Sequence, residues 1–322
     1  MSSTKKLTEA GLLSSLFIVS TIIAVGSGFG YAIYLDFIVP IFFCIICLKC
    51  DLKYSILASI SSLLIIALVL GNIGTSIWAT QSVILGIMCG FLMSKETTIM
   101  DDIIYGSILG IILMVFVDVY ASKLIGYSFM KEFQGYAELF PFKGYSEIIY
   151  YIFVGLFPMG TVFSIYILSL LLAKKLNILK GKAKEKYFII TNFRNCSRFI
   201  CCSKKIFYLS SIYLILIEIL GLLSIDINGV YLKTIFISTQ YLCFYFVIRD
   251  GYTAIQNYIL SKYQKVSYAR LLSLITIILL ISLFKITTIL IVILNIILDK
   301  RVNIRLKQIS IIDNYTTNIV SK

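Results

Sequence analysis

The sequence predicts an all-α, polytopic transmembrane fold of about ten apolar segments, and three observations indicate this class. Of the 322 residues, 59% are hydrophobic and only 14% are charged, whereas soluble domains average about 25% charged residues. Uncharged apolar runs recur, for example at 54–70 and 103–117, and they approach the length of about 20 residues that crosses a bilayer. Because these runs are continuous rather than alternating, a transmembrane β-barrel is excluded.

The apolar segments form two groups, six in the first half of the chain and four in the second. The last two segments are short, so they form either a hairpin or one interrupted span. The predicted segments lie at about 8–25, 31–48, 54–71, 75–94, 102–125 and 148–173, and then at about 206–225, 231–249, 268–283 and 286–299.

A strongly basic connector at 174–205 separates the two groups and predicts their orientation. Its ten cations and one acid supply +9 of the formal net charge of +13. Cytoplasmic loops carry an excess of lysine and arginine, and cations follow every even-numbered segment, for example at Lys95 and Arg249. This alternation predicts that both termini are cytoplasmic. Because the cations lie beside apolar segments, the expected partner is the lipid bilayer of the cell membrane, not nucleic acid.

Four regions follow from this pattern. A six-helix module occupies 1–175, the basic connector 176–205, a four-segment module 206–307 and a mobile polar tail 308–322. Within the connector, the mixed run 188–202 predicts an amphipathic helix on the inner leaflet, which makes anionic lipid an expected partner. The run 251–267 is interpreted in the same way.

Carboxylates inside apolar segments are the main candidates for substrate binding, because a charge at membrane depth is costly and usually faces a cavity or a partner. Asp118 lies well inside the fifth segment, Glu218 inside the seventh, and Asp36 in the outer part of the second. The alternative is that each carboxylate pairs with a hydroxyl or a lysine and holds helices together. Arg249 and Asp250, at the inner end of the eighth segment, are interpreted as interfacial.

Pro158 is a further candidate for the substrate site. It lies in a Gly-x-x-Pro-x-Gly motif of the sixth segment, where proline frees a backbone carbonyl and can flank a binding site. A purely structural kink is the alternative. The loop 127–147 is crowded with aromatic residues, which indicates either an interfacial aromatic belt or a lid over an outward-facing pocket.

The first segment carries small residues at a spacing that lets a second helix approach closely. These residues are Ala10, Gly11, Ser14 and Ser15. They predict a surface on which another membrane protein docks.

Catalytic and metal-binding signals are weak. The chain has no histidine, the commonest general base and zinc ligand, and no nucleotide or nucleophile motif. Cys44, Cys47 and Cys50 have a spacing seen in iron–sulfur proteins, but cysteine also serves as a small hydrophobic residue in helices. We therefore expect no enzymatic activity, no metal and no cofactor.

Short motifs add a family resemblance. The opening 5–10 (KKLTEA), the Lys95 turn and the basic exit at Lys174 and Lys175 are similar to the substrate-capture components of energy-coupling-factor transporters. The runs 170–176 (LLLAKKL), after the Pro158 segment, and 294–301 (LNIILDKR) resemble the YybS-like family of uncharacterised bacterial membrane proteins, whose layout extends over nearly the whole chain.

The resemblance implies a function. Capture components bind vitamins or metal ions from outside and dock a membrane coupling subunit through small residues of their first helix. It therefore implies small-solute binding or transport by the first module. The alternative is a membrane scaffold or regulator that captures a partner through the connector, with Lys182, Lys184 and Lys186 in the working surface.

Overall fold

The computed structural model describes residues 2–28, 34–71, 73–126, 128–139, 145–223 and 229–320, and within these ranges every regular element is helical. The all-α class is therefore confirmed. The elements are α1 (Ser3–Ser27), a π-helical turn (Tyr34–Ile38), α2 (Val39–Leu70), α3 (Ile73–Met93), α4 (Ile99–Ile125), α5 (Phe129–Glu138), α6 (Ser146–Lys175), α7 (Gly181–Thr191), α8 (Phe193–Cys196), α9 (Lys204–Leu222), α10 (Val230–Tyr263), α11 (Val266–Ser282), α12 (Phe284–Val302) and α13 (Ile304–Val320).

Six helices of the described residues are long and apolar enough to cross a membrane: α1, α3, Ile99–Tyr120 of α4, α6, α9 and α10. Their outward faces are apolar, as the exposed side chains of Leu12, Leu16 and Ile23 on α1 illustrate. Exposure of so much apolar surface is unfavourable in water, whereas contact with lipid acyl chains removes that cost. The chain is a multi-pass membrane protein.

Two predicted boundaries inside the membrane segments are corrected by the structure. The second and third segments are joined in α2, which bends at Asp51, where φ is 70° and ψ is 163°. This one residue, whose carboxylate pairs with Lys6, takes the place of the expected loop. In addition, α10 continues through most of the predicted interfacial run 251–267 and ends at Tyr263.

Residues Met1–Thr97, Asp102–Tyr187 and Val230–Ser238 form one compact unit, unit 1. Its core includes Phe17 of α1 and Phe43 of α2, whose rings meet edge to face with centroids 4.9 Å apart. Helix α3 packs closely on α2 through two glycines. A Cβ on Gly90 would lie 2.8 Å from the Cys44 carbonyl oxygen, and one on Gly86 would collide with the Pro40 carbonyl oxygen.

We expect Gly86→Ala to lower the free energy of unfolding by about 1–3 kcal/mol, because the added methyl group meets backbone that cannot rotate away. Unfolding of the purified protein in micelles measures the change. Gly160→Ala in α6 is the matched control, since a Cβ there meets nothing within 4 Å. That control is expected to be neutral or slightly stabilising through helix propensity, and equal losses in both variants would contradict the close α2–α3 packing.

Residues Thr98–Asp101, Phe188–Gly229 and Thr239–Lys322 form the second compact unit, unit 2. Its core includes Phe207, Leu214, Cys243 and Val247. The segment predicted as a mobile tail, 308–322, belongs to the helix Ile304–Val320 as far as Val320, and both Gln308 and the preceding Arg305 are buried. Polar composition suggested a solvated tail, but these side chains lie within unit 2.

The connector also differs from its predicted form. Instead of one amphipathic helix at 188–202, the structure has α7 and the single-turn α8, followed by a non-helical stretch that ends before α9. The two compact units do not follow the predicted modules, since unit 1 extends to Tyr187 and takes in Val230–Ser238.

Candidate functional site

A cleft in unit 1 is lined by polar and aromatic residues within otherwise apolar helices. Its free space has room for about one water-sized particle. We call it the Asp36 cleft. Its lining comprises Asp36, Pro40, Gln81, Ser82, Leu85, Phe157, Pro158 and Thr161.

Interrupted helices build the Asp36 cleft. Asp36 lies in the π-helical turn that precedes α2, and Pro40 lies in the first turn of α2; π-helical turns are rare and are frequent at functional sites. Pro158 lies inside α6, where it cannot donate to the Val154 carbonyl. Each proline packs on a glycine, Pro40 on Gly86 and Pro158 on Gly110.

The polar groups of the Asp36 cleft are incompletely paired. Gln81 Oε1 is buried and has no hydrogen-bond partner among the described residues. The Asp36 carboxylate has no ion pair within the same ranges. Thr161 Oγ1 donates to the Phe157 carbonyl at 3.1 Å, which leaves its lone pairs to accept. The cleft therefore offers oxygen ligands and one negative charge.

Two of the four predicted substrate residues, Asp36 and Pro158, meet at this cleft. Asp118 does not line it. The Asp118 side chain is 3% exposed, its Oδ2 accepts from Ser128 Oγ at 3.0 Å, and its Oδ1 has no partner among the described residues. Asp118 follows Gly110 by eight residues, which is about 12 Å along α4.

Glu218, the fourth predicted substrate residue, belongs to unit 2. Its Oε2 accepts from Lys285 Nζ at 2.8 Å. This pair agrees with the alternative interpretation, in which a carboxylate joins two helices, here α9 and α12.

The predicted lid lies partly outside the described residues, which omit 127 and 140–144. The described part is α5, and its Phe133 ring contacts the Phe157 ring with centroids 5.3 Å apart. Because Phe157 lines the Asp36 cleft, α5 reaches a wall of that cleft.

The predicted docking face on α1 is only half accessible. Gly11 and Ser15 are exposed, but Ala10 and Ser14 are 2% and 7% exposed and pack inside unit 1. Of the four predicted residues, Gly11 and Ser15 are therefore the accessible ones, because Ala10 and Ser14 already serve packing within the chain.

Lys186 of the connector forms a buried polar centre that the sequence interpretation missed. Its Nζ donates to Asp102 Oδ2 at 2.7 Å and to the Leu92 carbonyl at 2.8 Å. Asp102 also accepts from Tyr166 at 2.6 Å and from Thr97. We call this group the Lys186 centre. The sequence feature that could have revealed this centre is Asp102, an acidic residue at the start of the predicted apolar segment 102–125.

Unit 2 contains a comparable group, the Asp250 centre. Asp250 accepts from Arg305 Nη2 and from the Cys202 backbone N–H, both at 2.7 Å, and from Asn295 Nδ2 at 3.3 Å. Arg305 Nη1 also donates to the Cys202 carbonyl at 2.8 Å. Asp250 is 1% exposed, so its carboxylate is buried within unit 2.

The cysteines serve packing. Cys44 and Cys47 pack against Gly90. Burial raises the pKa of the Cys201 thiol to about 12 and also raises that of Cys202, so both thiols stay protonated at neutral pH. Within the part of the chain that the structure describes, no group of three or more histidine, cysteine or acidic residues is placed to hold a metal ion.

Long apolar helices with buried polar centres define an integral membrane protein of the helical class. A family model described as "Predicted membrane protein (DUF2232)" matches residues 15–139, which include Asp36, Gln81 and Asp118 but not Pro158. No curated protein matches the chain, and no solved structure matches it.

Proposed function

We propose that the protein binds a small solute in the Asp36 cleft and has no catalytic role. One observation carries this proposal: the Asp36 carboxylate and the buried Gln81 Oε1 line the same cleft, and neither has a partner among the residues that the structure describes. A buried polar atom without a partner costs about 1–3 kcal/mol. A ligand that pairs with these oxygens would remove that cost, and an intramembrane ionisable residue is by default a candidate for function.

The position of the cleft supports transport as the purpose of binding. Gln81 and Pro158 lie well inside α3 and α6, and transporters commonly bind their substrates near mid-membrane beside broken helices. The exposed Gly11 and Ser15 leave a reduced surface for a second membrane protein.

We also propose a topology, in which ten segments cross the membrane and both termini lie in the cytoplasm. In this topology the basic connector contacts anionic lipid of the inner leaflet. A fluorescent protein fused after Lys322 is expected to fluoresce in bacterial cells, because it folds in the cytoplasm. Activity of an alkaline phosphatase fusion at the same position would contradict the topology, since that enzyme needs an oxidising compartment.

Gln81→Met tests the binding function. Without ligand, this variant is expected to be more stable than the wild type by about 1 kcal/mol, because it removes an unsatisfied buried oxygen at similar volume. It is also expected to lose stabilisation by the solute. Thermal unfolding in lipid nanodiscs, with and without a panel of small solutes, measures both effects.

Gln256→Met in unit 2 is the matched control, because it makes the same chemical change at a residue that does not line the Asp36 cleft. It is expected to retain the response to the solute. If Gln81→Met instead destabilises the ligand-free protein, Gln81 has a structural role and the proposal loses its main support.

The scaffold alternative has weaker support. Lys186 is buried in the Lys186 centre, and Lys182 pairs with Glu185 at 2.9 Å. Both of these lysines, which were assigned to partner capture, therefore have partners within the chain.

A further inference from the structure

We infer that the ligand of the Asp36 cleft is a bare monovalent cation of about the size of K⁺ or ammonium, with Asp36 as its counter-charge. This inference rests on the proposed binding function and specifies the chemical class of its solute. Charge, ligand type and size each support it independently.

The charge of the cleft matches one positive charge. Asp36 is the only ionisable residue among the described lining residues, and no described cation pairs with it. A carboxylate in a low-dielectric site strongly favours a bound cation. Divalent ions such as Ca²⁺ take six to eight oxygen ligands, commonly with several carboxylates, and the Asp36 cleft provides one carboxylate.

The ligand atoms are hard oxygens. Besides Asp36, the lining offers the Gln81 side-chain carbonyl and the hydroxyls of Ser82 and Thr161. Oxygen ligands suit alkali and alkaline-earth cations, whereas thiolate and imidazole select transition metals. Neither cysteine nor histidine is among the described residues that line the cleft, so a transition metal is disfavoured.

The size of the cleft excludes a large solute in this conformation. Its space for about one water-sized particle suits a dehydrated K⁺ or ammonium ion, whereas pockets for organic ligands usually have volumes of about 300–1,000 Å³. Phe157 also lines the cleft, and an aromatic ring attracts a desolvated cation.

Thermal unfolding of the full chain in nanodiscs of neutral lipid tests the inference. The protein is first exchanged into N-methylglucamine chloride, and KCl, NH₄Cl, LiCl or CaCl₂ is then added at constant ionic strength. We expect KCl or NH₄Cl to raise the unfolding temperature saturably, because a ligand that binds the folded state stabilises it. LiCl and CaCl₂ are expected to have less effect.

Two matched carboxylate variants show which residue is responsible for the rise in unfolding temperature. Asp36→Asn is expected to weaken the response to K⁺ and ammonium by more than about tenfold, because it removes one partner of a desolvated charge pair. Asp118→Asn, also in unit 1 but outside the cleft, is expected to retain the response. Direct binding of radioactive Rb⁺ at low temperature provides a second readout if Asp36→Asn folds poorly.

The outcomes separate this inference from the proposed function. If a neutral solute stabilises the wild type through Gln81 while monovalent cations do not, the cation inference is wrong and solute binding stands. If neither class binds, both are wrong. A cation response that Asp36→Asn leaves unchanged, or that Asp118→Asn abolishes, overturns the assignment to the Asp36 cleft.

Discussion

Replacement of Lys186 by methionine is expected to lower the free energy of unfolding by about 3–5 kcal/mol, because it leaves the buried Asp102 carboxylate without its cation. The Leu92 carbonyl and Thr97 lose a hydrogen-bond partner as well. Equilibrium unfolding of the purified protein in mixed micelles measures the loss. A large effect would establish that the connector up to Tyr187 is held in unit 1 by specific packing and does not act only as a topological signal.

Lys182→Met is the control for Lys186→Met. Lys182 and its partner Glu185 are both substantially exposed, so removal of the Lys182 charge is expected to change the free energy of unfolding by less than about 0.5 kcal/mol. The double variant Lys186→Met with Asp102→Asn is expected to lose less than the sum of the single losses, because the neutral amide that replaces the Asp102 carboxylate needs no counter-charge. Equal effects of Lys182→Met and Lys186→Met would contradict the buried pair.

Arg305→Met is expected to have an effect of similar size, about 3–5 kcal/mol, in unit 2. It leaves Asp250 buried without its cation and removes a donor from the Cys202 carbonyl. Helix α13 begins one residue before Arg305, so we also expect faster tryptic cleavage at Lys307. Unfolding and limited proteolysis in micelles measure the two effects.

Arg301→Met is the control for Arg305→Met. Arg301 lies four residues earlier, near the end of α12, and is exposed, so its replacement is expected to leave both stability and cleavage at Lys307 nearly unchanged. Unchanged proteolysis in Arg305→Met, together with unchanged stability, would show that the Asp250 centre does not hold α13.

Composition was enough to predict the helical membrane class, because apolar length alone decides whether a segment can cross a bilayer. The cost of charge at membrane depth selected Asp36, and the backbone effect of proline selected Pro158; both line one cleft. Gln81 was missed, since a glutamine within an apolar run has no distinctive local pattern. Its importance arises only from the cleft that surrounds it.

Lys186 and Arg305 show why other features could not be predicted. In the sequence, Lys186 resembles the other connector lysines, and Arg305 resembles the other cations that follow the last apolar segment. Their partners, Asp102 and Asp250, are 84 and 55 residues away in the chain. Burial of such charges depends on tertiary packing, which neither composition nor periodicity contains.

The kink in α2 is a further feature that the sequence did not predict. Lys49, Asp51 and Lys53 make a polar stretch that is typical of a loop between spans. The structure accommodates it with a single residue at positive φ, because the Asp51 carboxylate pairs with Lys6 of α1 and the Asp51 carbonyl accepts from Ser55 at 2.9 Å. Local sequence gives the polarity but not these partners.

Whether the Asp36 cleft holds a cation is tested most directly by an experimental structure of the protein in lipid with Tl⁺, an anomalously scattering ion that substitutes for K⁺. We expect one anomalous peak in unit 1, in contact with the Asp36 carboxylate and Gln81 Oε1, and its disappearance in Asp36→Asn. An empty cleft at saturating Tl⁺, or a peak only at Asp118, would contradict this account.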